Sequence, residues 1–217
     1  MDLLPVWPFP ELRVTSGDVE LRYLDDELLM RAARLATDGI HAPDAMPFFF
    51  PWTRGTPEEV ATSVLRYHWA ARARMSRDTW AIELAVLHRG ELVGVQAAQA
   101  TDYVVTRQAE TGSWLGARHQ GQGIGTRMRW MILHLLFEGL SAERATTAAF
   151  ADNARSTGVT AKLGYRENGR QVLAREGRPV ESIRYVMARE RWAATPGRPD
   201  VTVHGVDGVR AYLGLEG

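Results

Sequence analysis

Hydrophobic and polar positions along the chain switch between a period of two and a helical period, and the switches mark its elements. Val19 to Leu24, VELRYL, alternates and predicts a strand. Asp25-Asp26 caps a helix to about Ala36, with Leu28, Leu29, Ala32, Ala33 and Leu35 as its apolar face. Thr56-Pro57-Glu58-Glu59 is a capping box with proline in the first helical turn, and Val60, Val64, Tyr67 and Ala71 continue at helical spacing to about Met75. Trp80 to His88 and Glu91 to Ala100 flank Arg89-Gly90 and predict an antiparallel hairpin. Ala109 to Leu115 is a further short strand. Residues 123 to 140 are apolar on two stripes, so that helix is buried. Arg144 to Phe150 predicts a strand, and Asp152-Asn153 caps a helix that Leu163-Gly164 stops. Strands over about 169 to 175 and 180 to 189 follow, parted by Gly177-Arg178-Pro179.

Three stretches lack such periodicity. Residues 1 to 16 mix prolines with aromatics and are expected to be irregular. Residues 39 to 55 hold Pro43, Pro47 and Pro51 among Phe48, Phe49, Phe50 and Trp52, so they form a loop, either a packed plug or the wall of an acceptor pocket. The tail, 193 to 217, begins with a Pro/Gly connector, and Val201-Thr202-Val203 suits a short strand. The order predicts an α+β protein, a mixed, largely antiparallel central sheet with helices on both faces.

Composition narrows the function more than the fold. With 217 residues, 45% apolar and 24% charged, the chain suits one large globular domain. Formal net charge is zero, which gives no global basic surface for nucleic acid or an anionic membrane. Cysteine is absent, which rules out a disulfide framework, a thiolate nucleophile and a cysteine metal site; no metal is expected. The N-terminus carries no basic stretch followed by an apolar one, so a cytoplasmic protein is expected.

The candidate chemistry sits where the strand at 109 to 115 gives way to the long helix. Gly121, Gly123 and Gly125 stand at alternate positions there. Glycines let the backbone approach an anion closely, and the helix start offers unpaired N–H groups and positive potential. No lysine follows as in a nucleotide P-loop, and the spacing is not that of a dinucleotide fold.

Arg118-x-x-Gly121-x-Gly123 resembles the pyrophosphate signature of the GNAT superfamily of acyl-CoA-dependent N-acyltransferases. The likeness takes in Ser113-Trp114-Leu115, Asn153-x-x-Ser156 and Lys162-Leu163-Gly164-Tyr165, over about residues 80 to 190. It is nearest to the ribosomal-protein N-acetyltransferase-like branch, and Gly39 to Phe48 with Pro51-Trp52-Thr53 resembles an actinobacterial subgroup described as succinyltransferases. The resemblance implies an acyltransferase domain over 1–192 that moves an acetyl or succinyl group from acyl-CoA to a small-molecule or peptide amine by direct attack in a ternary complex. A non-catalytic acyl-CoA-binding module and a protein N-terminal acetyltransferase are the alternatives.

It also implies residue roles. CoA would be held by Trp114, Leu115, Gly116, Arg118, Gln120, Gly121, Gln122, Gly123, Ile124, Gly125, Thr126, Asn153 and Ser156. Glu110 is the candidate base, with Glu83 and Asp102 as alternatives, and Ser156 the candidate proton donor. Many relatives use a tyrosine seven residues after the asparagine; here that position is Thr160. His41, Phe48, Trp52 and Glu83 are candidate substrate contacts, with His41, Thr53 and Arg54 suited to a succinyl carboxylate. The extension 193–217 carries Val201, Val203, Val206, Val209, Tyr212 and Leu213, more apolar than a disordered tail needs, and is expected to form a homodimer contact.

Overall fold

The computed structural model describes residues 6–215. Nine strands form one sheet: β1 (Arg13–Ser16), β2 (Val19–Tyr23), β3 (Thr79–His88), β4 (Glu91–Thr101), β5 (Gln108–Leu115), β6 (Arg144–Phe150), β7 (Arg166–Arg175), β8 (Arg178–Ala188) and β9 (Thr202–His204). Their order across the sheet is β7-β8-β6-β5-β4-β3-β2-β1-β9. Every neighbouring pair is antiparallel except β5 and β6. The helices are α1 (Asp26–Thr37), α2 (Pro57–Ala73), α3 (Tyr103–Thr106), α4 (Ile124–His134, extended by a π-helical turn to Gly139), α5 (Ala154–Lys162), α6 (Arg189–Ala194) and α7 (Val206–Leu213).

Two apolar layers put helices on both faces. On one, Leu28, Leu29 and Ala32 of α1 and Val60 and Val64 of α2 pack against Ala85, Leu87 and Val95. On the other, Met128, Met131 and Ile132 of α4 pack against Val14, Leu21, Val86 and Val93. The predicted caps form: Asp25 accepts from the Leu28 N–H, and Thr56 and Glu59 complete the capping box of α2. Arg89 (φ 52°) and Gly90 (φ 81°) make the left-handed pair that a tight hairpin turn demands.

Four expectations are corrected. The lead-in is not irregular throughout: a 3-10 turn forms over Phe9–Glu11 and β1 follows, its Val14 buried and paired with Leu21, and a four-residue strand is too short to show alternation. The first five residues lie outside the described ones. The four-residue helix α3 was not foreseen, being shorter than a helical repeat can reveal. β7 begins at Arg166, with a register shift between Glu167 and Arg170; Gly169 (φ 111°) marks a bulge inside the strand. The following turn is Glu176-Gly177, and Arg178 and Pro179 already belong to β8.

The fourth concerns the tail. β9 adds to the sheet edge through Val14↔Val203, and α7 buries Val209 and Leu213 in the chain's own core with Leu215 behind them. Val209 and Leu213 are thus buried in the chain's own core, and Val201, Val203, Val206 and Tyr212 pack against it while staying partly exposed, so the tail is not the loose segment its Pro/Gly start suggests. Leu213→Ala should lower unfolding free energy by about 2–5 kcal/mol in urea titration, the cost of a fully buried leucine. A change within about 0.5 kcal/mol, as at a surface position, would contradict this placement.

Candidate active site

The site begins with a fault in the sheet. β5 and β6 pair only at Gln108↔Arg144, Ala109↔Ala145 and Glu110↔Thr146, and then part. On their outer sides both strands stay paired, β5 with β4 as far as Leu115 and β6 with β8 as far as Phe150. Thr111–Leu115 and Thr147–Phe150 thus border a wedge. At its apex side chains replace the missing ladder: the Thr147 hydroxyl donates to the Thr111 carbonyl (3.0 Å) and the Thr111 hydroxyl to the Thr146 carbonyl (3.2 Å). Buried Arg129 of α4 donates to the Thr147 hydroxyl at 3.1 Å.

At the open end of β5 the chain turns into α4. Gly121 (φ 76°) and Gly123 (φ 81°) take left-handed conformations, and a Cβ on either would meet nothing within 4 Å. Backbone shape rather than crowding therefore demands glycine, and the surface above them is open. No side chain caps α4, and no hydrogen bond among the described residues takes up the N–H groups of Gly121, Gln122, Gly123, Ile124 or Gly125. Five unspent donors at a helix start are suited to an anion.

The side chains around this cradle depart from expectation. Arg118 turns away to Asp38 and Glu91, both at 3.3 Å, so its charge is shared on the surface. Gln120 is a strut, donating to the Ile40 carbonyl (2.6 Å) and the Leu115 carbonyl (2.8 Å). Gln122 folds back on the Arg118 carbonyl at 2.9 Å. A Cβ on Gly116 would sit 2.8 Å from Leu35, which gives that glycine a packing role. Gly125 and Thr126 lie in the first turn of α4. The cation that reaches the cradle is Arg155 of α5, which donates to the Gln120 amide oxygen. It lies two residues beyond Asn153, and its sequence position carried no signal for this role.

Past the wide end of β6, Asn153 caps α5, its side-chain oxygen accepting from the Ser156 N–H at 3.1 Å. Thr160 spends its hydroxyl on the Ser156 carbonyl (2.9 Å). The Ser156 hydroxyl makes no hydrogen bond among the described residues and is half-buried.

At the paired end of β5 lies a cavity of about 460 Å³. Ala81, Gln99, Glu110 and Thr146 line it as a row across β3, β4, β5 and β6, together with Tyr67 of α2 and Arg74 at that helix's C-terminal cap. Glu110 is exposed to it with no ion-pair partner among the described residues. Glu83 shares that sheet face but does not line the cavity; it is fully buried beneath α2. Burial pushes its carboxyl up to about 7 and lowers neighbouring His68 to about 4. Their 3.6 Å approach is short enough for an ion pair, yet burial holds His68 neutral at pH 7, so a carboxyl group faces a neutral imidazole. The Tyr67 phenol is raised by the Glu83 charge and then by burial. Asp102 opens α3 outside the cavity lining.

The candidate substrate residues are dispersed. Phe48 packs on Trp52 (4.9 Å between ring centres) and Trp52 on Trp114 (5.9 Å), both with tilted rings, so this part of the loop is a plug over the end of β5. His41 bonds Thr53 at 2.7 Å beside a separate cavity of about 370 Å³, and Arg54 pairs with Glu176 at 2.8 Å. The polar groups suited to a succinyl carboxylate are thus already matched within the chain.

Residues 19–166 match the acetyltransferase (GNAT) domain family. YdaF of Bacillus subtilis (strain 168), named as a candidate ribosomal N-acetyltransferase, is 29% identical over 121 residues, covering 55% of this chain and 66% of that protein, just under two thirds of its length. Among solved structures, Mycobacterium smegmatis RimJ in complex with CoA-disulfide superposes with a TM-score of 0.64 at 18% identity, covering 94% of this chain and 95% of that one. The ribosomal-protein-S5-alanine acetyltransferase of Vibrio fischeri gives 0.64 at 17%, covering 83% and 98%. At these identities the likeness is one of fold.

The buried pair makes a prediction about pH. Glu83, raised in the fold, adds stability that is complete below its ordinary value of 4.5 and lost as pH rises through about 7. His68, lowered in the fold, adds stability present above 6.5 and lost as pH falls through about 4. The slopes oppose each other between about 4.5 and 6.5, leaving the pair's net effect small there. His68→Gln should expose the Glu83 slope, stability falling by on the order of 3 kcal/mol from pH 4.5 to 7, at 1.36 kcal/mol per unit. Glu83→Gln should expose the reverse slope. Chemical denaturation across this range would refute the assignment if both variants showed slopes of the same sign.

Proposed function

The chain belongs to the acetyltransferase (GNAT) family, and on that premise we propose that it transfers an acetyl group from acetyl-CoA to the terminal amine of a protein or peptide. The observation that carries this reading is the uncapped, glycine-built start of α4 at the open end of a wedge in the sheet. Bound acetyl-CoA supplies the activated acyl group. The N–H groups from Gly121 to Gly125 and the Arg155 guanidinium suit its pyrophosphate, with Ile124 and Thr126 in the same turn. The backbone of Trp114, Leu115 and Gly116 and the Asn153 amide suit its pantetheine arm. Glu110 lies five residues from Leu115, roughly 17 Å along an extended strand, which sets the phosphate end and the reacting end apart along β5.

At the far end the acceptor amine attacks the acyl carbon directly: the C–N bond forms, the C–S bond breaks, and the amine proton passes to Glu110. We assign the proton for the departing sulfur to the Ser156 hydroxyl, which makes no hydrogen bond among the described residues. An α-amine near 7.7–8.0 costs only about 1 kcal/mol to deprotonate at pH 7, whereas a lysine near 10.4 costs about 4.6. That difference favours a chain terminus as acceptor. Relatives described as ribosomal N-acetyltransferases, one named for the alanine of ribosomal protein S5, support the same class. Acetyl is preferred over succinyl because His41, Thr53 and Arg54 are already paired.

Gly123→Val places a branched side chain at a left-handed position in the cradle and should abolish stabilisation by CoA in thermal melts while the unliganded protein still unfolds cooperatively. Normal CoA binding by this variant would move the site elsewhere. Glu110→Gln should leave acetyl-CoA affinity unchanged and lower turnover of peptide amines at least tenfold, as expected for loss of general-base catalysis. Equal turnover would remove Glu110 as the base, and no turnover by the unmodified protein on any amine would favour a binding module. Tighter binding of succinyl-CoA than acetyl-CoA in titrations would reverse the donor preference.

A further inference from the structure

The same cavity that presents Glu110 also presents two cations, Arg74 from the C-terminal cap of α2 and Arg184 from β8. Neither makes an ion pair or a side-chain hydrogen bond among the described residues. The chain is not short of carboxylates, with 26 acidic residues against 26 basic. Several other arginines do find carboxylates: Arg72 with Asp26 at 2.5 Å, Arg175 with Asp152 at 2.5 Å, and Arg189 with Glu143 at 3.1 Å. Two guanidiniums and one carboxylate, none of them ion-paired among the described residues, thus line a single cavity together with the neutral Tyr67, Gln99 and Gln108.

We propose that the acceptor is an acidic peptide terminus, its amine held at Glu110 and a carboxylate near that amine held by Arg74 and Arg184. This rests on reading the cavity as the acceptor site of the acetyltransferase above. The register gives the scale. Glu110 pairs with Thr146, Thr146 pairs with Val186, and Arg184 stands two residues farther along β8 on the same face. Two strand spacings and two residues separate the Glu110 and Arg184 backbones by roughly 12 Å. A free amino acid, whose amine and carboxylate share one carbon, is short for that span even after both side chains reach inward. A side-chain carboxylate on the second residue of a peptide reaches farther. Guanidinium forks take carboxylates through paired, charge-assisted hydrogen bonds, so an amide in the same place loses charge and half the acceptors.

The test compares a peptide beginning Ser-Asp with its Ser-Asn counterpart, and with free aspartate and free serine, on the full chain saturated with acetyl-CoA. kcat/KM for Ser-Asp should exceed that for Ser-Asn by roughly 10- to 100-fold, the worth of a hydrogen bond to a charged group, and both free amino acids should be poorer. The ratio should approach one in the Arg74→Gln, Arg184→Gln double variant and recover in part with Arg184→Lys. Both arginines are exposed, and thermal melts of the variants check that they fold. A ratio near one in the unmodified protein, with both peptides acetylated, overturns the acidic acceptor and leaves the acetyltransferase standing. Faster transfer to free aspartate than to Ser-Asp assigns the carboxylate to an amino acid and overturns the peptide. If neither peptide turns over, calorimetry on the CoA-loaded protein decides, and equal or absent binding overturns the proposal. Failure of acetyl-CoA itself to bind removes both readings.

Discussion

The structure depends on where a parallel pair of strands stops pairing. After Glu110↔Thr146 the ladder between β5 and β6 ends, although each strand keeps its outer neighbour for several more residues. An open edge inside a sheet costs unsatisfied N–H and C=O groups. Part of that cost is met at the apex by Thr111 and Thr147, whose hydroxyls reach the carbonyls that a neighbouring strand would otherwise take. Arg129 braces the same point from α4, with its Nε and the nearby Tyr165 hydroxyl buried and unbonded. Polar groups of this kind fix one geometry where an apolar apex would let the strands close.

That divergence separates two electrostatic environments along one strand. At the open end, backbone donors and a helix dipole give positive potential, while Arg118 is shared between Asp38 and Glu91 and Arg155 reaches Gln120 beside the turn. At the paired end, charged side chains set the character: Glu110, Arg74 and Arg184 around the cavity, above a layer in which burial raises Glu83 and holds His68 neutral. A loop without periodicity seals one border through Phe48, Trp52 and Trp114, pinned by Gln120 to the end of β5. Gln120 thus serves the cradle indirectly, by holding loop and strand together beside it.

Much of this was legible in sequence wherever the signal is local. Asp25, Thr56 and Glu59 name their helix starts because a cap is a hydrogen bond across three residues. Arg89-Gly90 names its hairpin, and Gly121 and Gly123 name a left-handed turn before an apolar helix, because each depends on the φ of one or two residues. The sequence by itself therefore determined the element order of the central core, the cradle and the α+β class. Only the tertiary structure decided which side chains the cradle and cavity receive, since those contacts join residues far apart in the chain. Arg118 was aimed at phosphate by its spacing, but Asp38 and Glu91 claim it from 80 and 27 residues away. His41 was claimed by Thr53, Glu83 was buried under α2, and Val209 and Leu213 of the tail were buried in the core. Each of these outcomes is set by long-range packing, which decides where an apolar or charged group finds its counterpart and which the local pattern does not encode.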